Sequence, residues 1–544
     1  MRAVEVAVAV VAAGTLAVAL AAAAAPRLGL PAPLVLLALG VVVSVLPFVP
    51  VVSVPPELVL TGILPALLYA AAVSVPAMDL RRDAAAVSAL SVVLVLVSAL
   101  VVGAVLTLLV PGLPYAWGVA VGAVVSPTDA VATAVVRRSG VSHRVTAIME
   151  GESLLNDASA LVLVRAAVAA AAGAVSFWGV AGQFVWTVVA AVAVGLLAGH
   201  GSLRLRARLD DPTVTTAVSF TTPFVAALPA EAVGGSGLVA AVVAGLVVGR
   251  NAPRLLGPQH RRSETENWAT VSLVLEGAVF LLMGLEIAGI VDAAGGVGVV
   301  GRALGIAAVV LVVVLAVRAA VVVPLLGGMH LGTRRVLRAR GRVEDLHRRL
   351  LEGEEVDLQR RRRGVDRPVD RVRLGQRLQS VLAGIDYLAA YPLGPREGAV
   401  VVWAGMRGAV TVAAAQTLPA GADGPEDRSL LLLVAFGVAA LSLVVQGGTL
   451  GPALRWLRPA AEDPASAAEE RAAVLRLVRG VAEGVAARPD EPAKQHRLRQ
   501  LRASRAALLD ARDLGVHDAE VLGAVLDAVD AEQVALELRG GPAG

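Results

Sequence analysis

No cysteine occurs in the 544 residues. That excludes disulfides, thiolate metal sites and cysteine nucleophiles, and leaves the compartment open. Lysine is almost missing as well: Lys494 is the only one, so positive charge in this chain means arginine. Charged residues make up 17% of the chain, against ~25% in ordinary globular proteins. The seven histidines show no metal-ligand spacing. What remains is apolar: 57% of the residues, with a mean hydropathy of +0.74. Such a chain has too little polar surface to cover a soluble core. Its apolar residues come in runs of about 20, the length that crosses a ~30 Å hydrocarbon layer. A soluble enzyme, a disordered chain and a nucleic-acid binder are thereby excluded. The sequence reads as an all-α polytopic membrane protein with the lipid bilayer as its first partner.

Charged and Pro/Gly breaks divide the apolar runs into about thirteen spans, near 3–25, 29–47, 57–77, 84–110, 115–136, 144–172, 178–200, 212–230, 232–250, 268–291, 297–327, 398–418 and 429–455. The short loops alternate in charge. One set carries Arg27, then Arg81 and Arg82, then Arg137, Arg138 and Arg144, then Arg204, Arg206 and Arg208, then Arg250, Arg254, Arg261 and Arg262. The other set has Arg428 beside Glu231, Asp292, Asp423, Glu426 and Asp427. Positive loops mark the cytoplasmic side, which predicts an outside N-terminus and a cytoplasmic C-terminus in the cell membrane. Residues 1–25 have some features of a signal peptide. Cleavage there would turn every arginine-rich loop outward, so the first span is read as retained. Trp117, Trp178, Trp268 and Trp456 fall near span ends as interfacial anchors, whereas Trp186 and Trp403 are expected to pack.

The membrane part covers 1–455 and contains a basic insert at 328–397 with sixteen arginines, ten acids and the cluster Arg360 to Arg363. That segment reads as a solvated helical insert, with contact to anionic headgroups as the alternative. The tail, 456–544, has helical apolar spacing near 498–509 and 521–538 and is expected to form a small cytoplasmic helical domain. Regulation and dimer contact are its open roles, and its partner is unknown.

Charges at bilayer depth are costly and functional by default. The sixth span reads EGESLLNDASALVLVR, with Asp157 near its midpoint. At 100° per residue, Glu152, Ser153, Asn156 and Asp157 occupy about 140° of arc, one polar stripe turned away from lipid. This oxygen-rich set suits a hard cation stripped of most of its water, and a poorly solvated carboxylate also accepts a proton readily. The fifth span carries Ser126-Pro127-Thr128-Asp129 at its centre. Proline removes a donor and opens the helix, freeing carbonyls and the Thr128 hydroxyl for a cation, with Asp129 at the start of the following half-helix. The twelfth span has Arg407 between Gly405 and Gly408, where glycine weakens the helix and permits close approach. Glu152 is the natural partner for Arg407. Broken helices in separate halves that meet at the midplane point to a secondary transporter. Arg318 reads as snorkelling to the headgroups and Arg165 stays unassigned. Glu276 and Glu286 are either structural pairs or outer-vestibule residues.

At LPALLYAA (64–71), SPTDAVA (126–132), GESLLNDAS (151–159), SGLVAAVVAGLVVG (236–249), FLLMGLE (280–286) and MRGAVTVAAA (406–415) the chain resembles bacterial members of the sodium/proton exchanger family. The likeness covers about 3–455, and the insert at 328–397 departs from the usual pattern. The resemblance implies inverted repeats with two discontinuous crossing helices, a homodimer built of a dimerisation part and a core part, and no cofactor. By motif match Asp157 would hold cation and proton in turn, helped by Ser153, the Thr128 main chain and Asn156. Glu152 would pair with Arg407. The break residues Pro127, Asp129, Gly405 and Gly408 would support the site. Asn156-Asp157 matches the branch that exchanges one monovalent cation for one proton. Sodium is the expected cargo, with potassium and lithium as alternatives, and pH homeostasis is the expected role. Two other readings stay open: a cation channel, which would lack coupled proton movement, and an intramembrane aspartyl protease, whose Gly-x-Gly-Asp run is absent.

Overall fold

The computed structural model describes residues 2–28, 30–47, 55–173, 177–352, 371–419, 424–460, 464–489 and 491–539. The Arg360 to Arg363 cluster and Asp423 lie outside the described residues. Every extended regular element within them is helical. The chain begins with α1 (Arg2–Leu28), α2 (Ala32–Ser44) and α3 (Leu58–Ser74). A short α4 (Ala77–Arg82) leads into α5 (Ala84–Leu109). The fifth expected span is two pieces, α6 (Tyr115–Val124) and α7 (Ala130–Arg138). Long helices follow: α8 (His143–Ala171), α9 (Phe177–Arg206), α10 (Pro212–Ala232), α11 (Gly237–Leu255) and α12 (Pro258–Leu285), the last continued by α13 (Ile287–Ala293). Next come α14 (Val297–Leu351) and α15 (Arg371–Ala390). The twelfth expected span is again two pieces, α16 (Pro395–Trp403) and α17 (Ala409–Gln416). After α18 (Arg428–Leu457) the tail forms α19 (Pro464–Glu483), α20 (Ala493–Leu514) and α21 (Ala519–Leu538).

Among the described residues nine helices are long and apolar enough to cross a membrane, and α2, α3 and α6 are shorter apolar helices. Leucines and valines such as Leu108, Leu197 and Val42 stand on their outer faces, exposed as lipid-facing side chains are. Helix starts follow local chemistry. Asp211 caps α10 by accepting from the Thr213 amide at 2.7 Å, and the Thr213 and Val214 amides hold its carboxyl below the usual carboxylate range. The helices pack in two groups. One unites α3, α9, α10 and α11, the other α5, α6, α8, α14 and α18. Against them α1 and α2 pack on α12. At that seam a Cβ on Gly40 would lie 2.4 Å from the Leu281 carbonyl oxygen, so only glycine lets the two backbones meet.

The apolar run ends the eleventh span at 327, but α14 continues as helix to Leu351. Hydropathy marks where a helix leaves lipid. The residues beyond 327 are rich in arginine and leucine, which keep helical geometry in water. Within the expected insert, α15 folds back along α14, tied by Arg340 to Asp386 at 3.0 Å. It brings Tyr387 to within 3.3 Å of Asp83, and Arg144 donates to the Tyr391 carbonyl at 3.0 Å. The tail helices enclose their own core around Val474, Leu501, Leu508, Leu522 and Val525. They dock on the ends of α11 and α12: Arg254 reaches Asp510 and Asp513, Arg505 donates to the Pro253 and Leu256 carbonyls, and Arg261 meets Asp530. On the other flank His143 approaches Glu520 and Tyr391 approaches Asp518.

Candidate functional site: a crossing of two broken helices

The two interruptions meet. Pro127 opens the chain between α6 and α7, and Asp129 starts α7, its carboxylate accepting from the Val131 amide at 3.1 Å. The Asp129 amide donates to the Met406 carbonyl at 2.7 Å, so one break is hydrogen-bonded to the other. The glycines of the second break make room. A Cβ on Gly408 would fall on the Asp129 carboxylate, and one on Gly405 would lie 2.5 Å from the Arg318 Nε. Substituting either would push a charged group out of place.

Helix α8 lays its polar stripe against the first break. Ser153 donates to the Thr128 carbonyl at 3.0 Å, and the Asn156 amide donates to the Thr128 hydroxyl at 2.7 Å. That hydroxyl lies 3.3 Å from Glu152 Oε1. Asp157 is 5% exposed and its Oδ1 has no partner. Asn156 Oδ1, Ser126 Oγ and Thr411 Oγ1 are also buried without partners. Buried polar atoms are nearly always satisfied, so an orphaned carboxylate oxygen such as Asp157 Oδ1 is suited to a cation or ordered water. Ser153 and Asn156 are thus both hydrogen-bonded to Thr128, and Asp157 is buried next to Asn156 on the same helix.

The expected ion pair needs correction. Glu152 is held by Arg318, whose two terminal nitrogens reach its two carboxylate oxygens, Nη2 to Oε2 at 2.7 Å. Arg318 is 1% exposed and its Nε donates to the Val401 carbonyl at 2.9 Å, so it does not snorkel. The side chain threads past Gly405, where the missing Cβ leaves its path open. Arg407 instead points along the crossing, donating to the carbonyls of Val125 and Gly405. These are carbonyls that the two breaks release from helical bonding.

Two supporting residues escaped the sequence reading. The Ser442 hydroxyl accepts from the Arg407 amide at 2.9 Å and donates to Gln446, which donates to the Trp403 carbonyl at 2.7 Å. Their signal was a polar i, i+4 pair inside the apolar run of the last span. Arg165 lies 3.8 Å from Glu231 and is largely exposed. Glu286 accepts from the Gln416 side chain.

Helices suited to a bilayer, crossed at two unwound segments beside a buried carboxylate, define a multi-pass membrane transporter. The chain matches the sodium/hydrogen exchanger transmembrane family over residues 14–339 and 377–456. An uncharacterized Na+/H+ exchanger of Mycobacterium tuberculosis is 30% identical over 466 residues, 84% of this chain and 76% of the relative. The Na+/H+ antiporter ApNhaP of Aphanothece halophytica is 26% identical over 73% of this chain and 64% of its own. Among solved structures, the sodium proton antiporter MjNhaP1 of Methanocaldococcus jannaschii superposes with a TM-score of 0.59 at 18% identity, covering 84% of this chain and 99% of that one. The chain belongs to the sodium/hydrogen exchanger family. It is a transporter and not an enzyme, and cation/proton exchange is its activity.

Proposed function

We propose that the protein exchanges one monovalent cation, sodium first, for one proton, with Asp157 as the residue that carries each in turn. The supporting observation is the buried, unpaired Asp157 Oδ1 on α8, the helix whose Ser153 and Asn156 bond the opened segment at Thr128. A dehydrated sodium ion needs oxygen ligands. Asp157 would supply the charge, with Ser153 and the Thr128 main chain completing the set and Asn156 positioning the Thr128 hydroxyl. One carboxylate cannot hold a proton and a cation together, so loading one expels the other. With net charge unchanged at each exchange, the cycle is electroneutral. Movement of the α5, α6, α8, α14 and α18 group against the α3, α9, α10 and α11 group would expose the site to each side in turn.

Glu152 and Arg318 neutralise each other beside this site, so that pair adds no net charge next to the cargo. Domain limits at 1–455 and 456–544, a homodimer in the plasma membrane, an outside N-terminus and a cytoplasmic C-terminus complete the reading. The arginine content of alternate loops supports the orientation. A wider cargo range finds support in a relative: the sodium, potassium, lithium and rubidium/H+ antiporter of Bacillus subtilis is 29% identical over 48% of this chain and 41% of its own.

The test is proton movement in proteoliposomes with an imposed pH gradient, adding sodium or potassium outside, with and without a potential clamp. Collapse of the gradient by cation, unaffected by the clamp and lost in Asp157→Asn, is the expected result. Cation entry without counter-moving protons would indicate a channel, and an active Asp157→Asn protein would move the site elsewhere.

A further inference from the structure

A concave space whose lining shares no residue with the ion site lies on the arginine-rich side of the molecule. It is a cavity of about 210 Å³ between the ends of α3, α4 and α11 and the facing sides of α20 and α21. A single water needs only ~15 Å³. One wall is apolar, with Met78, Leu508 and Leu522 all buried. The other is lined by Arg81, Arg250 and Arg512. Asp513 is the one carboxylate among the lining residues, and Arg254 already occupies it at 2.6 and 3.1 Å. Arg81 and Arg250 take part in no ion pair among the described residues, and Arg512 donates to the Arg250 carbonyl at 2.8 Å. Burial first, and then the charges of Arg254 and Arg250, hold Arg512 below the usual arginine range against the opposing pull of Asp513. Arg81 and Arg250 are exposed and Arg512 half-buried, and like charges lining one concave space make its potential attractive to an anion. Guanidinium groups match phosphate best, through paired N–H donors.

We propose that this cavity binds an amphiphilic anion, a phosphate group carried on a short apolar body, and that the ligand fastens the tail helices to the membrane part. Phosphate sits among Arg81, Arg250 and Arg512, and the apolar body lies on the leucine wall. Two sources share this chemistry, an anionic phospholipid of the adjacent leaflet and a soluble organic phosphate.

The test uses the full-length protein in neutral detergent, titrated calorimetrically with dioctanoylphosphatidylglycerol, adenosine monophosphate and phosphate-free dioctanoylglycerol. Two variants accompany it. Arg81→Gln/Arg250→Gln removes guanidinium groups that have no described partner. Gly523→Leu fills the cavity from α21, where a Cβ meets nothing within 4 Å and leucine favours the helix. Saturable binding of a phosphate probe is expected, the lipid probe or the nucleotide naming the source, together with slower tryptic cleavage of the tail. Affinity should fall about tenfold or more for each arginine removed, and binding should vanish in Gly523→Leu. The proposal is overturned if neither phosphate probe binds, if both variants bind as the wild type does, or if dioctanoylglycerol binds equally well.

Discussion

Neutralising Glu152 and each of the two arginines in turn separates partner from neighbour. Glu152 and Arg318 are each 1% exposed, and Arg318 places both terminal nitrogens on the carboxylate. Removing one member of such a pair leaves a buried charge alone, an effect of about 3–5 kcal/mol. Glu152→Gln and Arg318→Gln should each destabilise by that order. The double variant should lose what one single variant loses, giving a coupling of about 3–5 kcal/mol. Arg407 has its donors on the Val125 and Gly405 carbonyls, so the cycle of Glu152→Gln with Arg407→Gln should return about 1 kcal/mol or less. Denaturation of the bicelle-reconstituted protein by sodium dodecyl sulfate, with the five variants side by side, supplies the free energies. A Glu152–Arg407 coupling equal to or larger than the Glu152–Arg318 coupling would refute the assignment.

Gly408→Ala should abolish exchange and lower thermal stability, because the new methyl collides with the Asp129 carboxylate. Gly305→Ala, which meets open space on α14, should be neutral or stabilise by up to about 1 kcal/mol; equal behaviour of the two would show that the crossing tolerates bulk. Ser442→Ala leaves the buried Arg407 amide without its acceptor, a loss of about 1–3 kcal/mol that a melting curve detects. Competition for one carboxylate predicts that the apparent KM for cation rises as pH falls, by up to about tenfold per unit, so initial rates at low cation concentration should drop between pH 8 and 6; a KM independent of pH counts against a shared site. Arg254→Glu turns attraction toward Asp510 and Asp513 into repulsion. Trypsin should then release the tail faster while exchange at the ion site persists, and unchanged cleavage would mean that Arg505 and Arg261 hold the tail without it.

How much of this was legible in the sequence depends on which force set each feature. The bilayer penalises unpaired polarity so strongly that the apolar runs and their interruptions at 126–129, 150–157 and 405–408 stand out in the bare chain. Proline and glycine located both helix breaks for the same reason. The partner of Glu152 was another matter. Arg318 and Arg407 both sit in apolar runs, and the choice between them turns on α14 passing behind Gly405, a distance between helices that spacing along one helix does not encode. Trp186 was expected to pack, yet it is 55% exposed and its indole donates to the Val233 carbonyl. An amphipathic ring can meet lipid with its face while its N–H finds a partner at the span end.

The length of α14 has a mechanical meaning. Its 55 residues extend about 80 Å at 1.5 Å per residue, whereas the hydrocarbon layer is ~30 Å thick. Arg318 lies within the membrane portion, and the far portion is a stalk in water to which α15 is strapped. The helix is continuous between them, but Pro324 removes one ladder hydrogen bond between Arg318 and the stalk, so a twist or tilt imposed on the stalk meets a weakened turn before it reaches the guanidinium that neutralises Glu152. Load applied outside the bilayer is thereby filtered by a single proline turn before it touches the electrostatic balance beside the cargo.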